Sequence, residues 1–283
     1  MKNLWLLYEE KDLRVNRDYV AAMRRAGKEL DLAVKAVTTE KLSLCMNEYG
    51  MPHLLLDGKA AHPDAVLSRM RIPLYSRHIE AMGIPVFNGS LVCDICNDKR
   101  YTYQFLKGLP MPKTTFLAGN TFAPSHYPQV VKPACSHGGD RVTLVKDPFE
   151  YQQAVDGILP EAGLVQDVAQ NRGWDLRVYV LFSKIVAGVM RHSKDGGIVS
   201  NFKKGGDVTL HSLTRDEESL ANEVIRRFDQ AGAPLCFAGI DFLYDTDGPI
   251  IGEVEDVVGS RMLYQTSDID IVSLYLKEIK NRI

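Results

Sequence analysis

Several things are scarce in this sequence, and each shortage excludes a class of protein. No apolar run approaches the roughly 18 residues of a membrane-spanning helix. The apolar stretch Leu4 to Tyr8 is followed at once by Glu9 and Glu10, so it ends well before the core of a secretory signal would. Neither sign of charge is in excess: 34 Lys and Arg face 36 Asp and Glu, a net charge of −2. Such a chain has no global attraction for nucleic acid or an anionic membrane, and any polyanion must be held by a local cluster of cations. Cysteine is sparse and odd in number, at five, which argues against a disulfide framework. We therefore expect a cytoplasmic protein.

Cys93 and Cys96 form a lone C-x-x-C. A redox pair or half a zinc site has this spacing, but two further zinc ligands at matching spacing are missing, and the pair reads as structural. There is no internal repeat, no low-complexity linker, and no convincing Ser-His-Asp or Cys-His set.

What is present is ample core material: 45% apolar residues in 283, enough for about two compact units. The first third alternates strand-like and helical runs. Leu4 to Tyr8, Asp31 to Thr38, His53 to Leu56, Ala65 to Ser68 and Ile84 to Phe87 read as strands. Asn16 to Leu30 and Ser76 to Met82 read as helices. That alternation predicts a parallel sheet covered by helices. After about residue 97 the pattern changes. Asp98 to Lys107 reads as a helix. Gln129 to Lys132 and Arg141 to Val145 read as strands around a Ser/His/Gly loop, and Asp147 caps a helix begun by Pro148. Leu164 to Val168, Trp174 to Phe182 and Lys184 to His192 follow as strands, then a charged helix from Thr214 to Gln230. Phe237 to Tyr244 and Ile250 to Glu255 make a hairpin, and Asp270 to Lys280 a last helix. Antiparallel sheets with helices on them give an α+β second part.

The hairpin carries the most informative chemistry. Glu253 and Glu255 are two apart on a strand and share a face. With a loop at residues 245–249, Tyr244 pairs with Ile250 and Asp241 lies opposite Glu253. Three carboxylates then share one patch of sheet, and like charges placed opposite one another destabilise it. A divalent cation resolves the conflict, and hard oxygen ligands suit Mg²⁺. The alternative is a solvated acidic edge, but Asp241 is embedded in an apolar run.

The loop from Ala134 to Asp140 contains Ser136, His137, Gly138 and Gly139. Its two glycines allow backbone N–H groups to converge on phosphate oxygens, and Lys132 just before it offers a point charge. No Gly-Lys-Ser/Thr follows, so this is not a Walker A loop, and a plain hairpin turn remains the other reading. Arg177 stands two residues after Asp175 and shares its face, as a surface ion pair or as a neutraliser of a transferring phosphoryl group. Arg191, Lys203 and Lys204 are further cations, and Asn201 either binds phosphate or makes a turn.

From about residue 62 onward these pieces, in this order, resemble the ATP-grasp superfamily in its RimK-like carboxylate–amine ligase branch. The matching segments run from Asn97-Asp98-Lys99 through Val130-Val131-Lys132, Ser136 to Gly139 and Leu164 to Val168. They continue with Asp175-Leu176-Arg177, Arg191 and Ser200-Asn201, and end at Ala238 to Asp241 and Gly252 to Glu255. The resemblance implies an α/β N-terminal parallel-sheet (pre-ATP-grasp) domain at residues 1–97. An α+β ATP-grasp fold with antiparallel sheets would follow: a central subdomain with the glycine lid at 98–165 and a C-terminal subdomain with the metal site at 166–283.

The roles the resemblance implies are specific. Lys99 and Lys132 contact the nucleotide, and Ser136, His137, Gly138 and Gly139 form a lid over its phosphates. Gln166, Asp167 and Val168 are the hinge at the adenine edge. Asp175 and Asn201 contact nucleotide, Arg177 and Arg191 act on the transferred phosphate, and Asp241, Glu253 and Glu255 hold Mg²⁺, with Mn²⁺ an acceptable substitute. Three departures from the family pattern stand out. Glu255 replaces the usual Asn. Val257 to Arg261 replaces a Pro-Gly, which makes Arg261 a candidate clamp for a substrate carboxylate. Val199 stands where close relatives carry Arg, leaving Lys203 or Lys204 to compensate.

The implied activity is ATP-dependent joining of an acid to an amine through an acyl phosphate. The substrates would be small molecules or peptides, with no nucleic acid and no membrane involved, and a homo-oligomer is suggested by relatives alone. An ATP-grasp kinase and a nucleotide-binding scaffold without turnover are the alternatives. Arg14, Arg17, Arg69 and Arg71 are candidates for holding an anionic substrate.

Overall fold

The structure, a computed structural model, describes residues 1–117, 122–170, 173–193 and 207–283. The chain starts on β1 (Lys2–Tyr8), passes through α1 (Glu10–Val15) and α2 (Arg17–Glu29), and returns on β2 (Leu32–Thr38), parallel to β1. A small antiparallel sheet follows, made of β3 (Leu42–Met46), β4 (Pro52–Leu56) and β5 (Lys59–Ala61). β6 (Ala65–Ser68) rejoins β1, and α3 (Pro73–Ala81) leads to β7 (Val86–Phe87). The result is a four-stranded parallel sheet in the order β2-β1-β6-β7. β1 is apolar along its length and Leu4 to Tyr8 are all buried, as expected of a central strand covered on both faces.

The His53 run departs from expectation. It forms β4, which pairs antiparallel with β3 outside the parallel sheet. The link between those strands is short, and Asn47 closes it by accepting hydrogen bonds from the backbone N–H of Tyr49 and Met51. A connection of that length permits a hairpin but no parallel crossover. β3 itself was not legible, since its apolar residues are few and interleaved with Ser43 and Cys45.

Two helices, α4 (Ser90–Asn97) and α5 (Lys99–Phe105), lead out of this part. Asp98 separates them and caps α5 by accepting from the Arg100 N–H. Cys93 and Cys96 lie one turn apart on α4 and are buried, and all five cysteines are free thiols. Burial pushes both thiols of the pair well above the ordinary range, the environment of an inert structural cysteine.

The rest is antiparallel. β8 (Thr114–Leu117), β9 (Gln129–Pro133), β10 (Thr143–Val145) and β11 (Gly163–Asp167) form one sheet in the order β10-β9-β11-β8, with α6 (Pro148–Asp156) capped by Asp147 as predicted. A five-stranded sheet in the order β14-β13-β12-β15-β16 follows. Its members are β12 (Trp174–Leu181), β13 (Lys184–His192), β14 (Asp207–His211), β15 (Phe237–Asp245) and β16 (Gly248–Glu255). Helix α7 (Arg215–Gln230) begins with a Thr214–Glu217 capping box, and α8 (Arg261–Thr266) and α9 (Ile271–Lys280) end the chain. The architecture is thus a parallel-sheet α/β unit followed by antiparallel α+β units, as the resemblance implies.

The five-stranded sheet positions the site. One face presents Leu176, Val178, Val180, Ala238, Ile240 and Phe242 to a core that includes Leu220, Val224 and Phe228 of α7. On the other face, Tyr179 and Phe237 pack with α9 and the parallel sheet. Beyond them the same face turns polar with Asp175, Arg177 and Asp241.

The β15–β16 hairpin reaches the expected pairing by an unexpected route. Its turn is tighter than a 245–249 loop: Asp245 pairs with Gly248, and Tyr244 faces Pro249 in place of Ile250. A bulge between Asp241 and Phe242 then inserts Gly252 and restores Asp241 opposite Glu253. The bulge reverses the alternation, so Ile251 and Val254, three apart, both face the apolar core. A Cβ on Gly252 would lie 3.1 Å from the Asp241 carbonyl oxygen, which is why the inserted residue is glycine.

Asn88 ties the two halves together. Its Oδ1 accepts from the N–H groups of Cys236 and Phe237, and its Nδ2 donates to the carbonyls of Phe237 and Asp256. Asn88→Ala strands four buried backbone groups. It is expected to lower unfolding free energy by about 2–4 kcal/mol, measured by urea denaturation, whereas a loss below about 0.5 kcal/mol would contradict this role.

Candidate active site

The strands converge on one large cleft of about 830 Å³. Its walls come from the parallel-sheet unit, the β8–β11 sheet and the polar face of the five-stranded sheet. Apart from Asn201, every residue predicted for the site lines it: Lys99, Lys132, Ser136, His137, Gly138, Gly139, Gln166, Asp167, Val168, Asp175, Arg177, Arg191, Asp241, Glu253, Glu255 and Arg261. Asn201, Lys203 and Lys204 lie outside the described residues.

On the floor of the cleft the charged groups form a row across the sheet. Asp175 on β12 pairs in register with Arg191 on β13, Arg177 with Asp241 on β15, and Asp241 with Glu253 on β16. Arg177 grips Asp241 bidentately, Nε to Oδ1 at 2.7 Å and Nη2 to Oδ2 at 2.6 Å, and also reaches Glu255 at 2.8 Å. Arg191 bonds Asp175 and, at 2.8 Å, the same Oδ2 of Asp241. Burial works against the charged form of Asp241, but the two arginines outweigh it and hold the carboxyl well below the usual range. Gly239 makes room for this: a Cβ there would stand 3.1 Å from Arg177 Nε.

The opposite wall carries the lysines and the glycine loop. Lys99 donates to the Ser136 carbonyl and lies 3.6 Å from Glu253. Lys132 sits 3.4 Å from the Tyr103 hydroxyl, which itself donates to the Gly252 carbonyl at 2.6 Å, joining this wall to the bulge. Burial brings Lys132 down to about 8, with Glu253 opposing. Burial, aided by Arg71 and Lys99, brings His137 down to about 4, so its ring is neutral near pH 7. Gly138 and Gly139 both have positive φ, 64° and 73°, a conformation that turns the loop sharply at the cleft edge. Gln166 donates to the Thr114 hydroxyl, and the Asp167 carboxylate accepts from Gln129, which fixes this strand end beside Val168.

The carboxylates are not arranged as a metal cluster in the described structure. Among the described residues no group of three Asp, Glu, His or Cys side chains stands ready to hold an ion, because Asp241 has turned to its arginines. The chemistry of the donors nevertheless fits a hard cation. Asp175, Asp241, Glu253 and Glu255 face only Arg177, Arg191 and Lys99 within the ion-paired network. Within that network four carboxylates stand against three cations and supply oxygen ligands of the kind Mg²⁺ prefers.

Of the arginines considered for an anionic substrate, Arg69 and Arg71 line the cleft, whereas Arg14 lies away from it, paired with Glu10, and Arg17 is exposed elsewhere. Sequence reasoning missed Tyr8, Asp12, Asn16, Tyr19 and Trp174, which also line it. The first four sit on or beside β1, α1 and α2, elements with no motif of their own. Only their position after a buried first strand could have flagged them.

Comparison with known proteins agrees with this geometry. The RimK-like ATP-grasp domain pattern matches residues 120–279. N-acetylaspartylglutamate synthase A of Homo sapiens is 28% identical over 296 residues, spanning 95% of this chain and 73% of its own length. A probable alpha-L-glutamate ligase of Legionella pneumophila (strain Corby) is 29% identical over 241 residues, 78% of this chain and 77% of its own. Among solved structures, the D-alanine–D-alanine ligase of Bacillus anthracis complexed with ATP superposes with a TM-score of 0.73 at 14% identity, covering 100% and 99% of the two chains. A RimK domain ATP-grasp protein of Sphaerobacter thermophilus gives 0.72 at 19% identity, covering 97% and 98%; at such identities the likeness is one of fold. The pattern match spans more than half the chain, and by it the chain belongs to the RimK-like ATP-grasp family.

Proposed function

We propose that this protein is an ATP-dependent carboxylate–amine ligase, forming an amide bond between an acid and an amino-acid-type amine through an acyl phosphate. The observation that carries the reading is the cleft floor, where two buried arginines and four carboxylates stand side by side opposite two lysines and a glycine loop. Such a set matches a triphosphate with its divalent cation.

The residues act chiefly by charge and position. ATP, as substrate, lies with its adenine edge at Gln166 to Val168 and its phosphates under Ser136 to Gly139, gripped by Lys99 and Lys132. A substrate carboxylate oxygen attacks the γ-phosphorus, the bond to the ADP oxygen breaks, and an acyl phosphate forms. Arg177 and Arg191 release their carboxylate partners and take up the developing charge on the phosphoryl oxygens. Asp241 and Glu255, thus freed, would hold Mg²⁺ together with Glu253, and the ion when bound neutralises phosphate charge. The amine then attacks the acyl carbon, its N–C bond forms, the C–O bond to phosphate breaks, and the amine proton leaves with the departing phosphate. The lid keeps water from the acyl phosphate meanwhile.

Three predictions test this. Incubation with ATP, Mg²⁺ and a panel of acids and amino acids should release ADP and phosphate, and hydroxylamine should trap a hydroxamate. Glu253→Ala should lower kcat/KM by about 10²–10³-fold, and full turnover in that variant would remove Glu253 from the metal site. Arg177→Met leaves Asp241 buried without its main partner, and is expected to cost about 3–5 kcal/mol in urea unfolding; an unchanged midpoint would mean the pair is not a structural element of the unliganded protein.

A further inference from the structure

Loops that carry function are usually held by few hydrogen bonds and are mobile in proportion. The segment from Asp256 to Ser260, which joins β16 to α8, is the opposite. Each of its five carbonyls accepts a hydrogen bond. Asn88 Nδ2 donates to Asp256 at 2.8 Å, Arg69 Nη2 to Val257 at 3.3 Å and Arg69 Nη1 to Val258 at 3.0 Å. The Tyr179 hydroxyl donates to Gly259 at 3.0 Å, and the Tyr264 N–H to Ser260 at 3.2 Å. Asn97 adds a further hold by donating to Asp256 Oδ1 at 3.0 Å. The loop runs outside any sheet, yet side chains from after β6, after β7 and on β12 specify its path.

Arg69 is the costliest of these holds. It is 6% exposed, flanked by Tyr8 and Tyr19, and forms no ion pair with a carboxylate among the described residues. A buried guanidinium without a counter-charge is expensive, and its two bonds to successive carbonyls are what the fold obtains for it. So deeply set, it acts on the cleft through the loop and does not itself grip an anionic substrate.

What it holds is a wall. Val257, Gly259, Ser260 and Arg261 all line the cleft. Their anchors belong to the parallel-sheet unit and the five-stranded sheet, not to the β8–β11 sheet that carries Gln166 to Val168 and the glycine loop. Arg261 is exposed at this wall and has no ion pair among the described residues, so its guanidinium is open to a ligand. A group offered in this way recognises a substrate only as sharply as its backbone is fixed.

We propose that Arg69 is a positioning residue: by pinning two successive carbonyls it sets the Val257–Arg261 wall, and through it the affinity for the substrates other than ATP. This rests on the ligase reading and deepens it.

The test supplies the acids and amino acids of the panel above as one mixture at graded concentration, with ATP and Mg²⁺ saturating, and follows ADP release. Calorimetric titration with a non-hydrolysable ATP analogue gives the nucleotide Kd separately. Arg69→Met should raise the half-saturating concentration of the mixture by about tenfold, with the nucleotide Kd within about twofold of the unaltered protein and kcat lowered by less than about threefold. Arg69→Lys, which keeps the charge but reaches one carbonyl at a time, should fall between the two. Tyr179→Phe removes only the bond to Gly259 and should shift the half-saturating concentration the same way by a smaller factor, which keeps the test decisive should Arg69→Met fail to fold. An unchanged half-saturating concentration in the variants that fold, even with a lower urea midpoint, reduces Arg69 to a structural residue and overturns the proposal. A half-saturating concentration that moves together with the nucleotide Kd overturns it as well, and both outcomes leave the ligase reading standing. Absence of ADP release from the unaltered protein overturns the ligase reading and the proposal with it.

Discussion

The Arg177–Asp241 pair is the interaction on which the cleft depends. Its two residues face each other in register on neighbouring strands, almost wholly buried, and each is also held by a second partner of opposite charge. Taking either charge out of water alone would be prohibitive; paired they cancel, and Arg191, Asp175 and Glu255 extend the network around them. The strand register, the room left by Gly239 and the bulge at Gly252 all serve to bring these groups together. In the proposed reading every member gains an alternative partner in a metal–triphosphate complex: arginines exchange carboxylates for phosphates, and carboxylates exchange arginines for a cation. Binding would then swap one set of charge pairs for another without exposing a bare buried charge.

The same logic separates the two ends of the cleft. Toward the glycine loop, cations and anions are interleaved, an arrangement suited to a ligand that brings both signs of charge. Toward β1 and β6, Arg69 is spent on structure, its guanidinium donating to the carbonyls of Val257 and Val258.

Much of this was legible in the sequence, for definite reasons. A strand buried on both faces, such as β1, announces itself as a continuous apolar run, and Asp147, Thr214 and Asp270 mark helix starts by capping chemistry. The carboxylate pair Glu253 and Glu255 is visible from period-two spacing, although the register with Asp241 depends on a tight turn and a compensating bulge that no spacing rule foresees. Short strands with mixed polarity, β3, β8 and β14, were not visible because so few residues set no clear hydrophobic period. The partnership of Asp241 with two arginines was equally hidden, since it depends on which strands lie side by side.

The central claim is that the cleft-floor charges change partners when nucleotide binds. Crystals grown with Mn²⁺ in place of Mg²⁺ and a non-hydrolysable ATP analogue test it directly through the anomalous signal of the metal. The account predicts a metal peak coordinated by Asp241, Glu253 and Glu255, with Arg177 and Arg191 turned to phosphate oxygens. A metal bound elsewhere, with Arg177 still forked onto Asp241, would contradict it.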